Sequence, residues 1–321
     1  MKFLLKLCMA SAMALAAGAA HAEYPERPIT LVVPFEPGGS TDILGRIVAE
    51  HLTQTLGSPV TVENRGGGGG TIGAAVVANA QPDGYTLLFA TSGTHSINPN
   101  LRKVDYDPIG GFVPISLAVE TPVLVIANPD IGVKTLQDLI DVSKAEPGKF
   151  NFASAGNGST SHLAGELFNQ LTGAEMVHIP YPGAGPAMND VLAGRVQIFM
   201  NNMPPFVPHV KSGTVVPLAM ASEKRSAILP DVPTAAEAGL DGFVVAGWFG
   251  VVAPAGTPEE MVEKLHQAML KMDSSDAIKE KLFNVGSEVS VSPSREDFAG
   301  YIKRELERWG GVVAKSKARV D

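Results

Sequence analysis

A Pro-Gly-Gly turn followed at once by hydroxyl residues is the first place in this 321-residue sequence where chemistry could be done. The stretch from Leu31 to Asp42 runs as an apolar strand, stops at Pro37-Gly38-Gly39 and opens into an amphipathic helix through Ser40, Thr41 and Asp42. The first N–H groups of a helix have no intrahelical partner and carry a partial positive charge, so such a start can hold a carboxylate or phosphate. Gly38 and Gly39 let a ligand approach the backbone. Asp42 would repel an anion there, but an acidic residue in a first turn suits the helix dipole and can tie the loop down.

The pattern recurs. Ser154-Ala155-Gly156-Asn157-Gly158-Ser159-Thr160 is a Gly/Ser loop opening a second helix, and Tyr181-Pro182-Gly183-Ala184-Gly185 is a third such loop. Thr91-Ser92-Gly93-Thr94-His95 clusters hydroxyls after a strand, which makes His95 the histidine most readily given to a cleft, with bracing of the loop an equal alternative, and another strand ends in Asn201-Asn202. Phe35, Tyr181, Trp248 and Phe249 are the aromatics nearest these stretches, placed either to sandwich an aromatic acid or to pack.

Other chemistries have less behind them. Gly68-x-Gly70-x-x-Gly73 matches a dinucleotide fingerprint, but the next strand ends in Thr91 with no acid for a ribose hydroxyl, so a close helix-to-strand turn is preferred. No nucleophile elbow, Ser-x-x-Lys or His-Glu-x-x-His occurs. His162 and Glu166 share a helix face, where a structural role outweighs metal ligation or acid–base work. The rival enzyme is an exported hydrolase using Ser159 or His162. No metal and no cofactor is expected.

These residues must be held by alternating strands and helices. Strands are expected at 29–34, 60–63 and 85–90, with helices at 42–56 and 71–80. A β-rich run from Val113 to Ala127 contains the first crossing to a second lobe. There a helix at 136–144, a strand at 150–153, a helix at 161–171, a strand at 177–179, a helix through 190–192 and a strand at 197–200 repeat the logic. The return crossing falls in Phe243 to Ala253, and helices at 258–272 and 295–314 complete the first lobe. Such alternation argues for an α/β fold with a parallel, doubly wound sheet and ligands at strand carboxyl ends. Two lobes joined by two extended crossings form a cleft with a hinge. The lobes are residues 23–122 plus 247–321, and 123–246.

Residues 1–22 read as a secretory signal: Lys2 and Lys6 precede an apolar stretch ending Ala20-His21-Ala22. Cleavage after Ala22 leaves 299 residues beginning at Glu23, with 23 basic against 33 acidic residues, net −10. Cys8 is the only cysteine and lies in that signal. Export without a disulfide framework fits a periplasmic protein, and no basic patch of the kind that holds nucleic acid or an anionic membrane is present. No later apolar run reaches the roughly 18 residues a membrane span needs.

Several of these stretches together resemble one family. Pro34-Phe35-x-Pro37-Gly38-Gly39-x-x-Asp42, Glu63-Asn64-Arg65, Pro82-Asp83-Gly84-Tyr85-Thr86-Leu87, Ala155-Gly156-x-Gly158-Ser159-x-x-His162-Leu163, Pro180-Tyr181 and Val251 to Pro258 are similar to the Bug extracytoplasmic solute receptors, the substrate-binding proteins of tripartite tricarboxylate transporters. The resemblance implies a two-lobed periplasmic binding protein (Venus flytrap) fold that captures a small organic carboxylate. A dicarboxylate or aromatic carboxylate is favoured. It implies delivery to a membrane permease, by a protein whose default state is a monomer; a sensor docking on a signalling protein is the alternative. It also implies that backbone amides and hydroxyls of the two Gly-rich loops hold the carboxylate, through Phe35, Gly38, Gly39 and Asp42 with Ser154, Ala155, Gly158 and Ser159. With the loops read above, the candidate ligand-binding residues add Pro37, Thr91, Ser92, His95, Thr160, Tyr181, Gly183, Asn201 and Asn202. Relatives often carry Asp near Asn201; the neutral pair here tolerates a second carboxylate and disfavours an ammonium.

Overall fold

The computed structural model describes residues 24–315. The signal segment, its cleavage after Ala22 and Glu23 lie outside the described residues. The order is β1 (Ile29–Val33), α1 (Ser40–Leu56), β2 (Val60–Asn64), α2 (Thr71–Ala78), β3 (Thr86–Thr91), a π-helical turn (Gly93–Ile97) running into α3 (Asn98–Leu101), and β4 (Phe112–Ala127). There follow α4 (Leu136–Ala145), β5 (Asn151–Ser154), α5 (Thr160–Thr172), β6 (Val177–Pro180), α6 (Ala184–Leu192), β7 (Ile198–Asn202), α7 (Val207–Lys211), β8 (Val216–Ala221) and β9 (Ala246–Pro254). The chain closes with α8 (Glu259–Leu270), α9 (Asp276–Asn284), β10 (Glu288–Val289) and α10 (Arg295–Lys315). Among the described residues no helix is long and apolar enough to cross a membrane.

The strands form one ten-stranded sheet in the order β2-β1-β3-β9-β4-β7-β5-β6, with β8 and β10 pairing β4 off that path. The expectation of a parallel sheet holds only at its two wings: β2-β1-β3 and β6-β5-β7 are parallel. Every pairing of β4 and β9 is antiparallel. The reason is topological, because a chain that leaves one lobe and later returns runs its two crossings in opposite directions.

The crossings lie side by side. β4 is 16 residues long; it pairs with β9 as far as Pro122, whose partner is Ala246, and with β7 and β8 from Val123 onward. The ladder continues past that point, with Val123 N–H donating to the Val245 carbonyl at 3.0 Å.

Each wing is covered on both faces, as near-continuous apolar strands require. In β1, Leu31 and Val33 pack with Leu44, Val48 and Phe89, while Val32 points the other way toward Ala74, Leu88 and Trp248. The second lobe is built alike, with Phe152, Leu163 and Phe168 on one face and Ala153, Met188 and Phe199 on the other. One element departs from the expected assignment: α10 does not belong wholly to the first lobe. Its Phe298 and Ile302 pack in the first-lobe cluster with Trp248, and its Trp309 is buried in the second-lobe cluster with Val123 and Phe168. A helix of 21 residues is about 30 Å long, enough to reach across both.

Candidate functional site

Three helix starts meet where the lobes face each other. α1 is capped by Gly39 in an extended conformation without a side-chain cap bond, so the helix begins at Ser40, two residues earlier than expected. The Ser40 hydroxyl is therefore not used as a cap. Its Oγ donates to the Asn202 carbonyl at 3.1 Å and accepts from Asn201 Nδ2 at 3.1 Å, joining the lobes directly. α5 starts behind Ser159, whose Oγ accepts from His162 N–H at 3.3 Å and donates to the Gly156 carbonyl at 2.6 Å. α6 starts behind Gly183, again without a side-chain cap bond. Among the described residues no protein acceptor takes the N–H groups of Ser40, Thr41, Thr160 or Ala184.

Residues of these starts line one cavity of about 30 Å³. By the roughly 10–15 Å³ that one water occupies on this measure, it has room for a carboxylate group and little more, so a larger solute requires the lobes to stand further apart. Phe35, Gly39, Thr91, Ala155, Ser159, Thr160, Asn201 and Asn202 line it, as candidates read from sequence. Ser40, Thr41, Gly93 and Ala184, which are not among those candidates, complete the wall together with Phe249, which the sequence places near the cleft either to sandwich an acid or to pack. The signal for Ser40 and Thr41 was available, since the first two residues after a cap present both hydroxyl and N–H. The wall contains no charged side chain.

The other candidates lie behind the wall, for definite reasons. Asp42 ties the loop: its Oδ2 accepts from Gly38 N–H at 3.0 Å, its Oδ1 from Asn64 Nδ2 at 3.0 Å, and Arg46 pairs with it at 2.8 Å. Burial alone would push its carboxyl up; the bonds from Arg46, Gly38 and Asn64 outweigh that and hold it below the ordinary value. Pro37 and Gly38 face an outer groove with Gly185 instead, and Gly183 sits against Glu36. Ser92 accepts from Trp248 N–H at 2.9 Å. Tyr181 donates to Asp190 Oδ2 at 2.7 Å, and burial with that partner pushes its hydroxyl up to about 12.

His95 is the clearest correction. The π-helical turn carries its ring away from the cavity, fully buried beside Tyr106, Phe112 and Trp248, and burial lowers its pKa to about 3. Its Nδ1 meets Thr94 Oγ1 at 2.9 Å.

The loop after β5 also differs from expectation. Three of its amides are taken by side chains of β5 and α5: Ala155 N–H by Ser161 Oγ at 2.9 Å, Gly156 N–H by Ser154 Oγ at 3.1 Å and Gly158 N–H by His162 Nδ1 at 3.2 Å. Ser154 Oγ further meets His178 Nε2 at 2.6 Å. The groups left to an anion are those of the α5 start, not of the loop. His162 stacks on His178 at 4.1 Å, which stacks on Phe152 at 5.0 Å. Burial, then Arg102, lowers the His162 pKa to about 4, and burial, then His162, lowers that of His178 to about 3. The Ser159 hydroxyl and His162 Nδ1 are each engaged with backbone, so they do not form a nucleophile and base. Trp248 and Phe249 separate, because successive strand residues face opposite sides; Phe249 stacks on Phe89 at the cavity floor. No cluster of three or more His, Cys, Asp or Glu that could hold a metal occurs among the described residues.

What the arrangement can do is hold an anion by unpaired helix-start N–H groups and hydroxyls in a neutral, two-sided cavity. Residues 44–317 match the family model described as "Tripartite tricarboxylate transporter family receptor". Protein BugT of Bordetella pertussis is similar at 39% identity over 299 residues, 92% of this chain and 91% of its own. Two solved structures are similar across nearly the whole fold. An R. palustris protein with adipate has TM-score 0.89 at 36% identity, covering 93% of this chain and 100% of that one. MatC from Rhodopseudomonas palustris with bound malate has TM-score 0.86 at 36% identity, covering 90% and 100%.

Proposed function

This chain belongs to the tripartite tricarboxylate transporter receptor family, and from that premise we propose that it captures a small dicarboxylate or aromatic carboxylate and delivers it to a membrane permease. The observation that carries the reading is the meeting of three helix starts, with unpaired N–H groups, on a cavity free of charged side chains. The adipate and malate held by the two similar structures support a diacid.

On this reading residues 1–22 export the chain to the periplasm and are cleaved after Ala22. Residues 23–122 with 247–321 form one lobe and 123–246 the other, α10 reaching across both. A carboxylate gains donors from both lobes only when they close, so its differential affinity for the closed form drives closure. The permease reads the closed surface of a monomer. The solute leaves chemically unchanged, since the cavity wall offers no acid–base pair.

The test is titration calorimetry of residues 23–321 with adipate, malate and benzoate, with the recovered solute checked by NMR. Saturable binding of at least one, unmodified, is expected, and it should weaken about five- to tenfold in Ser40→Ala through two lost hydrogen bonds. No binding by any of the three, or conversion of one to product, would overturn the reading.

A further inference from the structure

The glycine run Gly66 to Gly70 contributes nothing to the cavity wall, yet it brings the backbones of the two lobes into close approach. Gly69, at φ +65°, lies so near the loop after β5 that an added Cβ would collide with the Asn157 carbonyl oxygen. Asn98, the first residue of α3 and fully buried, occupies the centre of this seam. Its Nδ2 donates toward three carbonyls, of Gly69 at 3.0 Å, Gly93 at 3.0 Å and Gly158 at 3.1 Å. Arg102, one turn on, donates to the Asn98 Oδ1 at 2.6 Å, to the Asn157 carbonyl at 3.2 Å and to the Gly68 carbonyl.

Gly68 and Gly69 follow β2 in the first lobe, whereas Asn157 and Gly158 follow β5 in the second. Whichever lobe α3 travels with, separating the lobes must break one side of this set. Neither Asn98 nor Arg102 lines the cavity. We propose that Asn98 and Arg102 are positioning residues for solute binding, a clasp on the carbonyls of both lobes that holds the cleft closed without touching the solute. Hydrogen bonds from a guanidinium are among the stronger ones, and here they reach uncharged oxygens on both sides of the seam. Apparent affinity is intrinsic affinity reduced by the fraction of molecules in the binding-competent form. The clasp therefore scales the affinity for every solute by one factor and leaves the choice among solutes to the cavity wall.

This rests on the receptor reading, but closure can be measured with no solute at all. The only cysteine is Cys8, so Asn79→Cys, an exposed position capping the C-terminus of α2, and Gln170→Cys, an exposed position on α5, take spin labels cleanly in residues 23–321. Without added solute, Arg102→Ala and the isosteric Asn98→Asp should each shift the inter-label distance distribution to longer values, with Arg102→Lys restoring part. Dissociation constants for adipate and malate should rise together, about tenfold in Arg102→Ala, through faster dissociation. Distributions unchanged in both variants would overturn the clasp whether or not either diacid binds. A rise for one diacid alone would also overturn it, because Arg102 would then be reading the solute.

Discussion

At the scale of single residues, burial keeps His95, His162 and His178 neutral, with pKa values of about 3, 4 and 3. In the unfolded chain each takes a proton near pH 6.5. The unfolded state therefore binds more protons between that value and the folded pKa, so stability is full above about pH 6.5 and is lost as pH falls toward 4. Urea unfolding from pH 7.5 to 4.5 should show this decline, and His178→Phe, which keeps a ring in the stack, should flatten it by about one proton. A variant curve parallel to the wild type would mean that His178 is protonated in the fold. Of these three histidines the sequence placed only His95 at the cleft, because it follows a strand end within a cluster of hydroxyls. What it could not reveal is the π-helical turn, which has no side-chain signature and rotates the ring into the aromatic cluster. Ser40 and Thr41 were legible as hydroxyls, but their place in the wall depends on the cap falling two residues earlier than expected, on Gly39.

At the scale of elements, the site depends on how closely α1 and α6 approach. A Cβ on Gly39 would lie 3.0 Å from the Cβ of Ala184, tight enough that one helix start must give way. Gly39→Ala should thus weaken carboxylate binding severalfold by calorimetry while changing the melting temperature little, since the strain can be relieved by opening the cleft instead of unfolding a lobe. An unaltered affinity would show that the two starts have slack. The helix carrying the α1 start was readable from periodicity with its boundary off by two residues, whereas the α6 start was read as loop, since Ala184 and Gly185 belong to a Pro/Gly-rich stretch. α9 was not readable, because Ile278 and Leu282 are its only fully buried apolar residues, and two points do not establish a period. The antiparallel pairing of β9 with β3 and β4 was hidden for another reason. Strand direction is fixed by the chain's return path, which no local run of residues encodes.

At the scale of the whole molecule, the proposed function has an acidic protein capture an anion with a cavity that has no charged side chain. The full sequence carries a net charge of −8, so the long-range field opposes the approach of a dicarboxylate. Salt screens that field while leaving contacts inside a closed cavity largely untouched. Stopped-flow association of a dicarboxylate should then accelerate severalfold between 10 and 150 mM salt, with dissociation nearly constant; slowing with salt would point to a basic approach path. The lengthwise reach of α10 has a mechanical side as well. Phe298 and Trp309 pin one rigid rod into different lobes, about 16 Å apart at a helix's rise per residue. A rod of fixed length lets the bodies at its two ends pivot but not draw straight apart. The path from shut to open is thereby confined to arcs about those pins.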